Sequence, residues 1–113
     1  MASMTLDEYQ EVAMSTFNKE IEDGIEMLNA ACLGIAGESG EVCDHLKKYM
    51  FQGHDLDEDK VARELGDVLY YIAIGAKSIG KGLGEIAQMN KDKLSARFPE
   101  GFDPDKSINR EEG

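Results

Sequence analysis

Proline is absent from the first 98 residues of this chain, and that absence constrains the fold more than any other feature. Both prolines, Pro99 and Pro104, lie near the end of the 113-residue sequence. Because proline removes a backbone donor and clashes with the preceding turn, a chain without it can stay helical over long stretches. Apolar residues in this region recur at the intervals of three and four that suit a helix with one apolar face. The sequence therefore predicts an all-α fold.

Capping residues and glycines divide this region into four predicted helices. Thr5 and Glu8 form a capping box at the start of the first helix. Gly53 ends the second helix, and either Asp55 or Asp57 caps the third. The expected helices span about residues 6–24, 25–51, 58–78 and 83–97.

Segment 68–74 is apolar enough to be read as a buried strand. A helix is preferred because Leu65, Val68 and Ile72 continue a helical apolar stripe without interruption. This stretch of the third helix is apolar on all sides, and a helix that is apolar on all sides is buried on all sides. It should therefore lie at the centre of the domain, or a second subunit should cover it.

The length favours a single domain over residues 1–113, with two parts outside the helices. Residues 1–4 are expected to be an N-terminal extension, with Met4 as a candidate natural start. Residues 100–113 are polar and are expected to form an extended arm or a disordered tail. No apolar run approaches the roughly 20 residues of a membrane span, and the N-terminus lacks the basic and apolar regions of a signal peptide.

The charge and the cysteine content limit which ligands the protein can bind and which compartment it suits. The chain has 23 acidic residues against 12 Lys and Arg, a net charge of −11. This balance does not suit binding to nucleic acids or anionic membranes, and an anionic substrate would have to arrive with cations. Cys32 and Cys43 would lie about 16 Å apart on one helix, too far for a disulfide. Free thiols favour a reducing compartment, so we predict a cytoplasmic protein.

Two pairs of carboxylates stand apart from the other acidic residues, most of which are expected to form a solvated surface. Glu38 and Glu41 have i, i+3 spacing on the second helix, and Glu64 and Asp67 have it on the third. At about 100° per residue, both pairs lie about 80° to 140° from the apolar stripe of their helix, in the same rotational sense. Two antiparallel helices could therefore turn both pairs towards one groove.

Four carboxylates in one groove repel each other, which raises their pKa values and costs stability. A hard divalent cation would remove that conflict. Because the ligands would be oxygen atoms, without Cys or His, the set fits Mg²⁺ or Mn²⁺ better than zinc. We therefore predict a Mg²⁺ site, with Mn²⁺ as a substitute, formed by Glu38, Glu41, Glu64 and Asp67.

Several residues near these acids have two interpretations each. Gly34 and Gly37 either allow close helix packing or leave room for a bulky ligand. Lys48 lies on the face of Glu41 and either complements the helix dipole or holds a phosphate. His45 and His54 are interpreted as structural or loop residues, because a hard-cation site has little use for imidazole.

Asn90 lies in the middle of the apolar stripe of the fourth helix. A polar side chain at a core position needs partners, so Asn90 is either a satisfied structural amide or a contact to a ligand. Lys93 lies near the same face, and Arg97 follows Asn90 by two turns. These three residues are candidates for binding substrate.

Three segments together resemble the MazG-like all-α nucleoside triphosphate pyrophosphohydrolases. They are LGIAGESGEV at 33–42, ELGDVLYY at 64–71, and NKDKL at 90–94 with RFP at 97–99 and GF at 101–102. The acidic signature is Glu-x-x-Glu, then a spacer over residues 42–63, then Glu-x-x-Asp. The resemblance covers residues 9–107, nearly the whole chain.

The resemblance implies Mg²⁺-dependent cleavage of an NTP or dNTP to the nucleoside monophosphate and pyrophosphate, in the service of nucleotide pool sanitation. It implies a four-helix bundle-like domain of the short type, assembled as a homodimer or a dimer of dimers. The four carboxylates match the positions that hold the metal, and Asn90 and Lys93 match positions that contact the nucleotide. The preferred base and sugar are not implied, because the base-recognising residues vary across the family.

Our hypothesis for the reaction is an in-line attack of water on phosphorus. Glu41 or Glu38 would position or deprotonate the water, and Lys48, Lys93 and Arg97 would hold phosphate oxygens. Two alternatives stay open. One is a related phosphoribosyl-ATP or nucleoside-diphosphate hydrolase on the same scaffold. The other is a non-catalytic, cation-binding helical interaction module.

Overall fold

The computed structural model describes residues 3–109 and contains five helices in that range. They are α1 (Leu6–Thr16), α2 (Gly24–Phe51), α3 (Glu58–Ser78), α4 (Leu83–Arg97) and α5 (Pro104–Ile108). The same residues contain no β-strand, but only an isolated bridge between Pro99 and Gly101. The prediction of an all-α fold is confirmed, and so is the helical interpretation of segment 68–74.

Helix α1 starts as predicted, but it ends at Thr16 instead of near residue 24. The capping box at Thr5 is present. Phe17 already has extended backbone dihedrals, and the side-chain oxygen of Asn18 accepts a hydrogen bond from the Glu20 backbone N–H at 3.0 Å. Because such a local turn competes with helical hydrogen bonding, the helix stops although the apolar spacing continues.

The bounds of α2, α3 and α4 agree with the predicted helices to within one residue. Gly53 follows α2 with a φ of 74°, a left-handed conformation that suits glycine at a helix end. Of the two candidate caps of α3, the structure uses Asp57 and not Asp55. The Asp57 carboxylate accepts a hydrogen bond from the Lys60 N–H at 3.0 Å.

The connection between α2 and α3 is held by a buried imidazole. His45, near the end of α2, is buried, and its Nε2 accepts a hydrogen bond from the Asp57 backbone N–H at 3.3 Å. The structural role predicted for His45 is confirmed. His54 is exposed and lies in the loop between the two helices, as expected.

Helix α3 lies at the centre, because α1, α2 and α4 all pack against it. It forms a long antiparallel pair with α2, in which Ala31 approaches Gly75 and Gly34 approaches Tyr71. The fully buried hydrophobic residues around it are Ala13, Ala31, Ala73, Ile74, Ala76 and Leu83. The central position is as predicted. Segment 68–74 contains no exposed residue, but only Ala73 and Ile74 in it are buried, and the other five are partly buried.

Helix α1 holds the start of α4. The buried Gln10 donates its side-chain N–H groups to two backbone carbonyl oxygens, both at 3.1 Å, and its own carbonyl oxygen accepts from the Leu83 N–H at 3.0 Å. The Asp7 carboxylate accepts from the Gly84 N–H at 2.9 Å. Because the N-cap residue Gly82 has no side chain, α1 supplies the cap that α4 lacks.

The apolar stripes that the sequence predicts are only partly buried. They are Leu28, Cys32, Ile35, Val42 and Leu46 on α2, and Leu83, Ile86, Ala87 and Leu94 on α4. On α2, Cys32 and Leu46 are exposed. The reason is that α3 packs on the neighbouring face of α2, where Ala31 lets the helices approach closely. On α4, Leu83 is buried and Ile86 packs against the core, but Leu94 is exposed, because the described residues cover mainly the first turns of this helix.

The segment after α4 contains the short helix α5, where an extended arm or disordered tail was expected. The Asp103 carboxylate caps it by accepting a hydrogen bond from the Asp105 N–H at 2.9 Å. Residues 1–2 of the predicted extension and residues 110–113 of the predicted tail lie outside the described residues. Between residues 3 and 109, no helix combines the length and the apolar composition needed to span a bilayer.

Candidate functional site

A cavity of about 670 Å³ lies beside α3 and the first turns of α1. It is lined by Tyr9, Lys60, Arg63, Glu64, Gly66, Asp67 and Tyr70. All of these except the α1 tyrosine lie on α3, mostly at intervals of three and four, which places them on one side of that helix. The wall therefore combines two carboxylates, two cations and two phenol rings, a set that suits an anionic ligand accompanied by a cation.

One carboxylate oxygen in this wall lacks a partner. Oε1 of Glu64 is buried and accepts no hydrogen bond from the described residues. A buried polar atom without a partner is costly, and a bound cation or donor would remove that cost. Since Glu64 and Asp67 offer hard oxygen atoms, this donor set fits a divalent cation such as Mg²⁺.

Tyr9 lines the cavity from the side of α1. Its hydroxyl lies 3.5 Å from the backbone carbonyl oxygen of Gly66, to which it donates. Burial raises the pKa of Tyr9 above its ordinary value, and the negative charge of Asp67 and the neighbouring Tyr70 raise the pKa further. The phenol therefore keeps its proton at neutral pH and can donate it in a hydrogen bond.

The register of α2 and α3 brings the two carboxylate pairs to the same level. Counted from the close approaches described above, Glu38 lies about opposite Asp67, and Glu41 about opposite Glu64. At about 100° per residue, Glu38 and Glu64 lie near the line of contact between the helices, while Glu41 and Asp67 are rotated to one side. The burial agrees, because Glu38 and Glu64 are partly buried and the other two are exposed.

The four side chains do not form a ready-made metal centre. In the stretch from residue 3 to residue 109, no three His, Cys, Asp or Glu side chains are grouped closely enough to hold an ion. Glu64 and Asp67 line the cavity, but Glu38 and Glu41 do not. The metal site formed by all four residues therefore stays a prediction.

The two glycines of α2 near these acids have different surroundings. A Cβ at Gly34 would overlap the ring of Tyr71, so this glycine allows α2 and α3 to pack closely. A Cβ at Gly37 would meet nothing within 4 Å. The packing interpretation therefore holds for Gly34, and open space surrounds Gly37 next to Glu38.

Lys48 has a partner on its own helix. Its Nζ lies 3.0 Å from a carboxylate oxygen of Asp44, and Lys47 approaches the same carboxylate at 3.2 Å. Hydrogen bonds from Lys48 and Lys47 lower the pKa of Asp44. Lys48 does not line the cavity, so its predicted role in holding a phosphate would require this ion pair to open.

The cations in the cavity wall are Lys60 and Arg63, neither of which is among the residues predicted from the sequence to bind substrate. Asn90 and Lys93 are exposed and Arg97 is partly buried, and none of the three lines the cavity. Asn90 is thus not a core residue, contrary to the stripe position predicted for it, because positions 87–96 of α4 are all exposed.

A signal for the missed cations was present in the sequence. Lys60, Arg63, Glu64 and Asp67 follow one another at i, i+3, i+4 and i+7, which is one helix face. Tyr9 carried no comparable signal, since only the packing of α1 on α3 brings it to the cavity.

The fold and the cavity define a class: an all-helical protein with clustered carboxylates and cations beside a central antiparallel helix pair. Residues 26–102 match the family model described as the MazG nucleotide pyrophosphohydrolase domain, and the chain belongs to this family. It is 32% identical over 83 residues to the Gene 37 protein of Mycobacterium phage L5, a match that covers 70% of this chain and 73% of the phage protein. No solved structure matches the chain.

Proposed function

We propose that this protein is a Mg²⁺-dependent nucleoside triphosphate pyrophosphohydrolase, which cleaves an NTP or dNTP to the nucleoside monophosphate and pyrophosphate. The observation that carries the proposal is the buried, unpartnered oxygen of Glu64 in a cavity that also contains Lys60 and Arg63. Membership of the MazG nucleotide pyrophosphohydrolase domain family supports the class of reaction.

The residues proposed to hold Mg²⁺, or Mn²⁺ in its place, are Glu38, Glu41, Glu64 and Asp67. When bound, such an ion lowers the pKa of a water molecule, neutralises charge and orients phosphate oxygens. Three observations support this assignment: the donors are oxygen atoms alone, one of them is buried without a partner, and the two pairs lie at the same level along α2 and α3.

The remaining roles follow from charge and position. Glu41 or Glu38 would accept the proton of the attacking water. Lys60 and Arg63 would donate charge-assisted hydrogen bonds to phosphate oxygens, which a chain of charge −11 needs in order to bind a polyanion. The residues predicted from the sequence to contact substrate, and retained as candidates, are Lys48, Asn90, Lys93 and Arg97.

We further propose that the protein works as a homodimer or a dimer of dimers in the cytoplasm. The exposed free thiols of Cys32 and Cys43 favour a reducing compartment. The exposed apolar side chains of α2 and α3, such as Leu46 and Leu65, favour assembly.

The test is a nucleotide panel incubated with Mg²⁺, with the products identified by phosphorus NMR. Monophosphate with pyrophosphate is the expected pair, whereas monophosphate with inorganic phosphate would indicate a nucleoside-diphosphate hydrolase. Phosphoribosyl-ATP belongs in the panel, because its preferential hydrolysis would indicate the other related enzyme.

A matched pair of variants tests whether the cavity that contains Glu64 is the site of hydrolysis. Glu64→Gln should abolish turnover, while Glu11→Gln, an exposed carboxylate on α1 outside the cavity, should leave it unchanged. Full activity of Glu64→Gln, or an inactive parent with every nucleotide, would contradict the proposal. Mg²⁺ binding without any turnover would favour the non-catalytic interaction module.

A further inference from the structure

The chemical groups of the cavity wall change in order along α3. Two cations lie on its first turns, two carboxylates follow, and Tyr70 lies furthest along, with Tyr9 of α1 near it. At about 1.5 Å per residue, Lys60 and Tyr70 are about 15 Å apart along the helix axis. The wall therefore has a cationic end and an aromatic end, with the proposed metal ligands between them.

The two rings at the aromatic end are held in place by the fold. Both are partly buried and pack against the hydrophobic core cluster. The Tyr9 hydroxyl donates to the Gly66 carbonyl oxygen at 3.5 Å, and the hydroxyls of Tyr70 and Thr16 lie 3.3 Å apart. The rings of Tyr70 and Tyr71 meet edge to face, with centroids 5.0 Å apart. Rings that are already fixed lose little conformational entropy when a ligand binds.

The ring of Tyr9 offers aromatic surface to the cavity. It stacks on no other aromatic ring among residues 3–109, and it lines the cavity wall. The negative charge of Asp67 lies close to it, so a phosphate group at this end would be repelled. The aromatic end therefore suits a flat, uncharged part of a ligand.

We propose that Tyr9 and Tyr70 form the binding surface for the nucleobase, so that the substrate lies along α3 with its phosphates towards Lys60. The inference rests on the proposed function, because it assigns the uncharged end of the same nucleotide. A nucleotide has the same order of groups as the wall, with anionic phosphates at one end and a flat, uncharged base at the other. Stacking of a base on an aromatic side chain raises affinity about 5- to 100-fold.

The same surface determines which bases fit. Both phenol hydroxyls face partners within the chain, and the other polar side chains of the wall are the charged groups proposed for metal and phosphate. From the described residues, the base thus meets ring surface and no unengaged amide or hydroxyl. Because every base has an aromatic face, binding by stacking tolerates all of them. Purines should bind more tightly, since their rings cover more surface.

Two ligands that differ only in the base test this surface. Adenosine monophosphate (AMP) carries adenine where ribose 5-phosphate carries a hydroxyl group, and neither has a phosphoanhydride bond to cleave. In calorimetric titrations with Mg²⁺, the parent should bind AMP at least about fivefold more tightly than ribose 5-phosphate. The 2′-deoxy forms of both ligands are titrated in parallel, so that either sugar is covered. Equal dissociation constants within both pairs, or no binding of any of these ligands, would overturn the proposal.

Three variants test whether the ring of Tyr9 causes this preference. Tyr9→Leu keeps an apolar side chain but removes the ring, so it should lower the preference for AMP at least about threefold. Tyr9→Phe keeps the ring and should retain the preference. The matched control is Tyr49→Leu, which changes a tyrosine that is 45% exposed on α2 and outside the cavity, and it should also retain the preference. An unchanged preference in Tyr9→Leu would refute the role of Tyr9.

NMR of the unaltered protein keeps the test decisive if Tyr9→Leu does not fold. With AMP bound, nuclear Overhauser effects are expected between the adenine protons and the ring protons of Tyr9 and Tyr70. Adenine contacts that include neither ring would overturn the proposal.

The four common nucleoside monophosphates test whether stacking alone holds the base. Their dissociation constants should agree within about tenfold, with the two purines binding most tightly. A preference of more than about 100-fold for one base would contradict the proposal, because it requires hydrogen bonds to the base edge.

None of these experiments measures hydrolysis. A protein that cleaves nucleotides but binds AMP and ribose 5-phosphate equally would retain the proposed reaction and lose this base-binding surface. A protein that prefers AMP through Tyr9 but cleaves no nucleotide would retain the surface and lose the reaction.

Discussion

A side chain at position 34 would occupy the space that the ring of Tyr71 fills, so Gly34 and Tyr71 together set how closely α2 and α3 pack. The same contact sets their register, and the register decides which carboxylates lie opposite each other. The packing of one glycine under one ring therefore links the stability of the helix pair to the geometry of the candidate metal site.

Replacing Gly34 by alanine should destabilise the protein. Alanine stabilises a helix interior by about 1 kcal/mol relative to glycine, but the overlap with the Tyr71 ring should cost about 1–3 kcal/mol. The expected net loss is up to about 2 kcal/mol, measured by urea unfolding followed by circular dichroism.

The control for this prediction is on the same helix. Gly37→Ala adds a methyl group where nothing lies within 4 Å, so it should gain up to about 1 kcal/mol of stability. A second test is Tyr71→Leu combined with Gly34→Ala, which should recover part of the loss. If Gly34→Ala and Gly37→Ala change the stability equally, the ring of Tyr71 can move aside without loss of free energy.

The fold could be predicted where local chemistry decides it. A capping aspartate at 55 or 57, Gly53 and the helical spacing of the apolar residues are enough to place α2, α3 and α4, although only the structure selects Asp57 as the cap. The end of α1 could not be predicted in this way, because the turn at Asn18 interrupts a stretch whose apolar spacing continues. Burial was predicted less well, because small residues such as Ala31 allow α3 to pack beside the apolar stripe of α2 and not on it.

The residues of the candidate site could likewise be predicted only in part. The carboxylates Glu64 and Asp67 could be selected from their spacing alone, and they line the cavity. Tyr9 could not be selected, since α1 meets α3 only through tertiary packing. Lys60 and Arg63 were visible as part of one helix face, but they were not distinguished from ordinary surface charges.

Gln10 should be the most sensitive polar position outside the cavity. It is buried and makes three hydrogen bonds that join α1, α3 and the start of α4. Gln10→Ala leaves the Leu83 N–H without its partner, so we expect a loss of about 2–4 kcal/mol in urea unfolding. Glu11→Ala, at the next and exposed position, should change stability by less than about 0.5 kcal/mol. A similar small change for both variants would contradict a structural role of Gln10.

Mg²⁺ should stabilise the folded protein through Glu64. A ligand that binds only the folded state at about 100 times its dissociation constant adds about 2.7 kcal/mol. The measurement is the thermal midpoint in Mg²⁺ and in EDTA, for the parent, Glu64→Gln and Glu11→Gln. We expect Mg²⁺ to raise the thermal midpoint of the parent and of Glu11→Gln, but not that of Glu64→Gln. A gain of the same size in all three would mean that the ion binds elsewhere.

Variants of Arg63 and Lys93 test whether phosphate binds in the cavity or on the surface of α4. Arg63 lines the cavity and Lys93 does not. If the cavity holds the phosphates, Arg63→Ala should raise KM roughly 10- to 100-fold, the effect of losing a charge-assisted hydrogen bond of about 1.5–3 kcal/mol. Lys93→Ala should then change KM less than about threefold, because an exposed charge that does not touch the substrate contributes little. A larger increase in KM for Lys93→Ala than for Arg63→Ala would instead favour phosphate binding by the α4 residues predicted from the sequence.

Tyr9 should make the stability of the metal-free protein depend on pH in the alkaline range. Its pKa is raised in the folded state, first by burial and then by the charge of Asp67. The unfolded chain releases the proton near the ordinary value of about 10. The contribution of Tyr9 to stability is therefore complete below about pH 10 and is lost as the pH rises through the higher folded-state pKa.

The measurement is an alkaline titration of the parent and of Tyr9→Phe, followed by the absorbance of tyrosinate. Subtracting the curve of the variant from that of the parent gives the titration midpoint of Tyr9. We expect that midpoint above 10, because both burial and a nearby negative charge oppose ionisation. Asp67→Asn should lower the midpoint only in part, since it removes the charge and leaves the burial. If the difference curve has its midpoint at or below 10, the phenol faces solvent, and Tyr9 does not pack against α3 as described.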